Sequence, residues 1–110
     1  MVKFVNRYMR IIVMYDIQME TNIGNKEYLL WRKKLINLGY IMMQYSIYSK
    51  CISAHTQYEY ERQKLLNVMP KKSNIRIMLI TENQYQKIEI LNGEKSLNEF
   101  YNDNIRYVSL

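Results

Sequence analysis

The stretch Arg10–Ile17, RIIVMYDI, is a run of apolar and β-branched residues that carries one carboxylate near its end, Asp16. A strand covered on both faces reads as a nearly continuous hydrophobic run. An acid at its mouth gains nothing from hydrophobic burial. Asp16 either ends the strand and opens the turn at Gln18–Gly24, or it is a metal ligand or general base supported from elsewhere in the chain. The other chemistry-bearing residues are sparse. One Cys and one His argue against a zinc site. His55 lies at the start of an expected helix and reads as a surface or capping residue, and Cys51 as a small buried hydrophobe. Gly24, Gly39 and Gly93 stand alone, so no glycine loop cradles a phosphate. No aromatic and glycine run matches the RNA-recognition motif, and a Ser-His-Asp arrangement has no positional support.

The chain has 110 residues, enough for one domain with its own core. Its 48% hydrophobic and 24% charged residues are ordinary for a globular protein rather than a disordered one. The single cysteine forms no internal disulfide, which points to a reducing compartment. The N-terminus lacks a secretory pattern, and no apolar run approaches the roughly 18–20 residues that span a bilayer. The expectation is a cytoplasmic protein with no membrane partner. The net charge is +6, and the basic residues cluster. Arg32, Lys33 and Lys34 form one group, Lys71 and Lys72 a second, and Lys3, Arg7 and Arg10 a third. Such a surface suits phosphate backbones, bound without sequence preference. A solvated helix face explains the triplet alone equally well. Three clusters together with eleven tyrosines favour nucleic acid.

These residues need a scaffold. After the first strand, Thr21 and Asn22 offer caps for a helix from about Ile23 to Leu38, with Tyr28, Trp31, Leu35 and Leu38 as its buried stripe. Gly39 stands where a C-terminal cap glycine belongs. Tyr40–Ile52 is too long for one ordinary strand and reads as two strands meeting near Gln44–Ser46. A second helix is expected from about Thr56 to Met69. A Thr56–Glu59 capping box opens it, and Tyr58, Arg62, Leu65, Leu66 and Met69 share one face. Pro70 stops it, and Lys71–Asn74 forms a basic loop. Strands come next at Ile75–Thr81 and Lys87–Leu91, then the turn signal Asn92-Gly93 and a strand-like tail, Ile105–Leu110. The order is α+β, the split βαβ or ferredoxin-like arrangement βαββαβ with added C-terminal strands. Residues 1–110 form a single domain in this reading, and 85–110 is an extension placed to pack on the partner of a homodimer.

At this point the residues carry a resemblance. A strand ending VMYDI, a helix rich in Arg and Lys, then GYIMMQYSIYSK, PKKSNIRIMLIT and ILNGEK are similar, in order, to the CRISPR-associated protein 2 family. This is the small subunit of the spacer-acquisition machinery. QYSIYS and ILNGEK resemble most the form that accompanies single-effector systems. The resemblance covers about Arg10 to Lys95. It implies a ferredoxin-like homodimer with a two-fold axis past the ends of the first strands, and an aspartate matched by Asp16. Two such residues, one from each subunit, would share one Mg²⁺ ion. That agrees with a metal that takes one or two protein carboxylates and keeps waters and phosphate oxygens. By position, Tyr15 matches the aromatic before that aspartate. Ser46 and Tyr48 match a second segment, and for Tyr48 a core role is equally open.

The family's activity is metal-dependent endonuclease cleavage of RNA or DNA. Its other role is a bridge between dimers of the larger CRISPR integrase subunit, on the backbone of incoming double-stranded spacer-precursor DNA. Arg10, Arg32, Lys33, Lys34, Lys71 and Lys72 are the candidate backbone contacts, with RNA as the alternative ligand. No acid besides Asp16 lies near a strand end in the first half, which weighs against robust cleavage and leaves bridging intact. A free-standing endoribonuclease of toxin type and a non-catalytic nucleic-acid-binding module are the alternatives.

Overall fold

The apolar run at the N-terminus becomes the middle of a sheet. In the computed structural model, which describes residues 8–17, 22–97 and 99, strand β1 (Met9–Ile17) is flanked by β3 (Ile47–Ile52) and β4 (Ser73–Thr81). The short β2 (Ile41–Gln44) lies outside β3, giving the antiparallel order β2-β3-β1-β4. Helix α1 (Asn22–Asn37) joins β1 to β2, and α2 (Tyr58–Val68) joins β3 to β4. This is the α+β, ferredoxin-like βαββαβ arrangement. The two middle strands meet at Tyr45–Ser46, with a register shift between Met42 and Gln44. No helix of the described residues is long and apolar enough to cross a membrane.

One face of the sheet carries the helices. Ile11, Val13, Tyr15 and Ile17 alternate into this layer from β1, with Tyr48 and Ile52 from β3. Tyr28, Trp31 and Leu35 of α1 pack on them at helical spacing, as expected, and Leu38 is partly buried. Gly39, at φ +94, ends the helix in the left-handed region that glycine enters without a Cβ clash. The amide of Tyr40 donates to the Leu35 carbonyl at 3.0 Å and that of Gly39 to Ile36, which satisfies the last turn.

Helix α2 turns a different face inward from the one its apolar residues suggest. Leu65 is core, and Tyr58 and Val68 pack against the core. Glu61 is buried too, whereas Arg62, Leu66 and Met69 are exposed. Glu61 is tolerated inside because Lys50 of β3 donates to its carboxylate at 2.9 Å, while also donating to the Leu38 carbonyl at 2.7 Å. The expected Thr56–Glu59 capping box does not form. A 3₁₀ turn at His55–Gln57 leads into α2, and no side chain caps it. His55 is exposed as expected, and Cys51 is half-buried rather than fully buried.

The opposite face of β1 holds the main departure from the sequence reading. Lys87–Leu91 is irregular chain instead of a strand. Ahead of it a short helix, α3 (Glu82–Gln86), starts at a capping box in which the Thr81 hydroxyl accepts from the Gln84 amide and the Gln84 side chain from the Thr81 amide. This places Glu82 against Arg10, the second residue of β1. Nε and Nη2 of Arg10 donate to the two carboxylate oxygens at 2.9 and 2.6 Å, and the guanidinium lies 3.8 Å from the centre of the Tyr85 ring. Arg10 has no exposed surface. Burial works against its charge, but the Glu82 carboxylate outweighs burial and holds its pKa above the ordinary value. Tyr85 donates to Glu99, and Ser96 donates to the Met42 carbonyl at 2.6 Å, so this segment folds back over its own sheet. Ile105–Leu110 and Thr21 lie outside the described residues.

Removing one partner of a buried, bidentate pair strands the other charge in an apolar setting. Glu82→Gln is therefore expected to cost about 3–5 kcal/mol of stability, read as a lowered urea midpoint. The double variant Arg10→Met/Glu82→Leu should recover most of that loss. A single variant as stable as the parent would show that water reaches the pair.

Candidate functional site

The register of the sheet decides which residues gather. Asp16 is the second-last residue of β1, and its Cα partner on β4 is Asn74. Its side chain is exposed, on the face away from the helices, because Tyr15 and Ile17 take the inward positions. No described residue donates to its carboxylate. Three other segments meet the same end of the sheet. The loop with Lys71 and Lys72, both exposed, leads into β4 at Ser73, which is opposite Ile17. The Tyr45–Ser46 turn is tied on by a 3.1 Å hydrogen bond from the Tyr15 amide to the Ser46 carbonyl. Finally, Arg76 is the Cα partner of Met14, so it shares the face of Asp16 one step along the ladder. It is exposed.

Arg76 was not among the residues singled out from the sequence, although the signal was there. In SNIRIMLIT the odd positions Ile75, Ile77 and Leu79 face the helices, and strict alternation sends Asn74, Arg76 and Met78 the other way. The position of Asp16 on the same face becomes clear only once the β1–β4 register is known.

Several sequence candidates belong elsewhere. Arg10 is withdrawn from the nucleic-acid contacts, since its guanidinium is enclosed with Glu82 at the far end of β1. Tyr15 and Tyr48 are core residues, 6% and 1% exposed, with rings stacked at 5.9 Å. Trp31 meets Tyr15 edge-on at 5.9 Å, and Tyr28 lies at 5.8 Å. Burial, with Tyr48 and Tyr28 adding to it, pushes the Tyr15 pKa far above its ordinary value. The phenol stays protonated and offers no base. Ser46 is half-buried in the left-handed region, φ 66, and contributes its carbonyl to the turn. Arg32 and Lys33 are exposed on α1, and Lys34 is half-buried.

One carboxylate is a thin ligand set. Among the described residues no group of three or more His, Cys, Asp or Glu side chains comes together. Asp16 nonetheless fits the hard, oxygen-preferring chemistry of Mg²⁺, because its carboxylate is exposed and unengaged by described residues.

Residues 9–88 match the family model described as CRISPR associated protein Cas2. The chain belongs to this family. A Cas2 of Ligilactobacillus salivarius, named a CRISPR-associated endoribonuclease, is 34% identical over 87 residues, covering 79% of this chain and 86% of that protein. One from Treponema denticola, with the same name, is 35% identical over 102 residues, covering 93% of this chain and all of that protein. The crystal structure of Streptococcus pyogenes Cas2 at pH 6.5 superposes with a TM-score of 0.57 at 24% identity, over 76% of this chain and 99% of that one. That likeness supports the Cas2 fold.

The Tyr15 hydroxyl is buried, and among the described residues it makes no well-formed hydrogen bond, with only the Tyr28 and Tyr48 phenols beside it. In this Cas2 chain Tyr15→Phe should therefore raise unfolding stability by about 1 kcal/mol, the order of the penalty for an unsatisfied buried group. It should leave any metal-dependent cleavage unchanged. A Tyr15→Phe protein that folds but no longer cleaves would return the hydroxyl to the site.

Proposed function

We propose that this Cas2 protein is a CRISPR-associated nuclease that binds the phosphate backbone and cleaves phosphodiesters at Asp16, with Mg²⁺ shared between the Asp16 residues of two copies. The observation that carries the reading is an exposed Asp16, unengaged by described residues, at the end of the central strand, with Arg76 on its face and the Lys71–Lys72 loop beside it. The endoribonuclease names of the relatives agree with it. Each part has a role set by its chemistry. The Asp16 carboxylates hold the cation. The Arg76 guanidinium offers paired N–H donors to a phosphate oxygen. Lys71, Lys72, Arg32 and Lys33 neutralise the flanking backbone without reading bases. The Tyr15 cluster keeps the strand end rigid, so that Asp16 is held in place rather than drawn to its ligand. A bound Mg²⁺ supplies charge neutralisation at the phosphate and a water of lowered pKa.

A second reading is favoured by the single carboxylate per chain. The same basic surface suits a homodimer in the cytoplasm that grips double-stranded DNA during spacer acquisition, bridging copies of the larger integrase subunit, with no cleavage of its own. Asp16→Asn separates the two. With the side chain exposed, the fold should be unaffected, and Mg²⁺-dependent cleavage of RNA or DNA should fall at least about a hundredfold, as for loss of a group acting in the transition state. DNA binding should remain within about twofold. A parent chain that cleaves neither RNA nor DNA with Mg²⁺ would sink the nuclease reading and leave the bridging one, and cleavage that persists in Asp16→Asn would show that Asp16 is not its centre.

The basic residues give an independent check. Arg32→Glu/Lys33→Glu should weaken duplex binding and flatten the dependence of log affinity on log salt by about two ion equivalents. An unchanged slope would show that α1 faces away from the nucleic acid.

A further inference from the structure

The turn between β2 and β3 presents an aromatic ring that the core does not need. Tyr45 is 68% exposed. Its ring is nevertheless seated, 5.5 Å from that of Tyr28 and inclined by 25°, a stacked geometry. Tyr28 is itself buried against Tyr15. The outer ring therefore rests on fixed aromatic neighbours, and its other side is left to solvent. The backbone under it is held as well, by the left-handed Ser46 and by the hydrogen bond from the Tyr15 amide to the Ser46 carbonyl.

The surroundings are positive. Arg32 comes one helical turn after Tyr28, which puts the two on neighbouring positions of α1. The Tyr45 phenol, its pKa raised above the ordinary value chiefly by the Tyr28 hydroxyl, feels the Arg32 charge as a smaller opposing pull. Lys33 is exposed next to it. An open ring face with a guanidinium alongside is the arrangement that receives a base on the ring and the adjoining phosphate on the cation. A base inside a duplex has both faces covered by its neighbours and offers none to a ring on a rigid turn. An unpaired base does.

We infer that Tyr45, seated on Tyr28 and flanked by Arg32, is a stacking subsite for an unpaired nucleotide of single-stranded nucleic acid. Because Tyr15 ties this turn to β1, the subsite lies at the same end of the sheet as Asp16, the next residue along. The inference rests on the nucleic-acid reading above and deepens it, by naming the unpaired nucleotide as the part of the substrate that this end of the sheet receives. No base-specific contact is involved, so any base serves.

The test uses the full chain and two fluorescein-labelled DNA probes, a single strand of about twelve nucleotides, within the range one small domain occupies, and its blunt duplex. Tyr45→Ala should bind the single strand about tenfold more weakly, the effect of losing one base–aromatic stack, and the duplex within about twofold of the parent. Tyr45→Phe should behave as the parent. Tyr45→Trp should bind the single strand and lose emission on doing so, while the buried Trp31 adds a constant background. Equal weakening for both probes, no weakening for either, or a loss in Tyr45→Phe matching that in Tyr45→Ala would each overturn the subsite. A parent chain that binds the duplex but not the single strand overturns the subsite alone. One that binds neither probe overturns the nucleic-acid reading with it.

Discussion

A guanidinium with no exposed surface cannot exist in this fold without the carboxylate that meets it. Arg10 enters with β1, and Glu82 arrives 72 residues later, after β4 has been laid beside β1. The ion pair therefore forms only when the last central pairing is in place. A chain with β4 displaced by even one residue would leave two charges facing apolar neighbours, at a cost of several kcal/mol. The pair also directs the chain beyond β4. With Glu82 anchored, Tyr85 covers the guanidinium and reaches Glu99, and the segment between them is drawn across the sheet.

This closure divides the outer face of the sheet. Near the start of β1 it is largely covered, with Arg10 and Ile12 buried and Ser49 enclosed between them and β2, while Met78 opposite Ile12 stays exposed. Toward the end of β1 it opens, and Asp16, Asn74 and Arg76 are left at the surface. On the inner face, Tyr15, Tyr28, Trp31 and Tyr48 form one aromatic cluster directly behind the open end. In the proposed role of Asp16 such backing matters, since large rings locked in contact give the strand little freedom to flex.

How much of this was legible depends on the range of each signal. Periodicity is local, so β1, the stripe of α1, the Gly39 stop and the break of Tyr40–Ile52 into two strands could all be read from neighbouring residues. Asp16 stood out because a carboxylate in an apolar run breaks the local pattern. Pairings between distant residues left no such mark. Arg10 looked like one more surface cation because Glu82 is far away in sequence, and α2 was rotated to the wrong face because Lys50, outside the helix, makes Glu61 an interior residue. Alternation in Lys87–Leu91 suggested a strand, yet the Thr81–Gln84 capping box turns the chain into α3 first. That box has the Thr-x-x-Gln spacing and was readable. Tyr15 and Tyr48 carry groups capable of chemistry, and only the tertiary fold shows that both lie in the core.

The end of α1 has a consequence for how this sequence can change. Gly39 needs its positive φ, and a Cβ placed there would stand 3.3 Å from Cε of Lys50. That lysine is held from two sides, by the Leu38 carbonyl and by Glu61, so it has little room to retreat. Positions 39 and 50 are therefore coupled through one contact. A side chain at 39 is strained by the backbone even if 50 is shortened, and a shorter residue at 50 leaves the buried Glu61 with Lys64, at 3.4 Å, as its remaining cation. One turn past α1, one residue on β3 and one on α2 thus share a single constraint, and a change at any of them is felt by the other two.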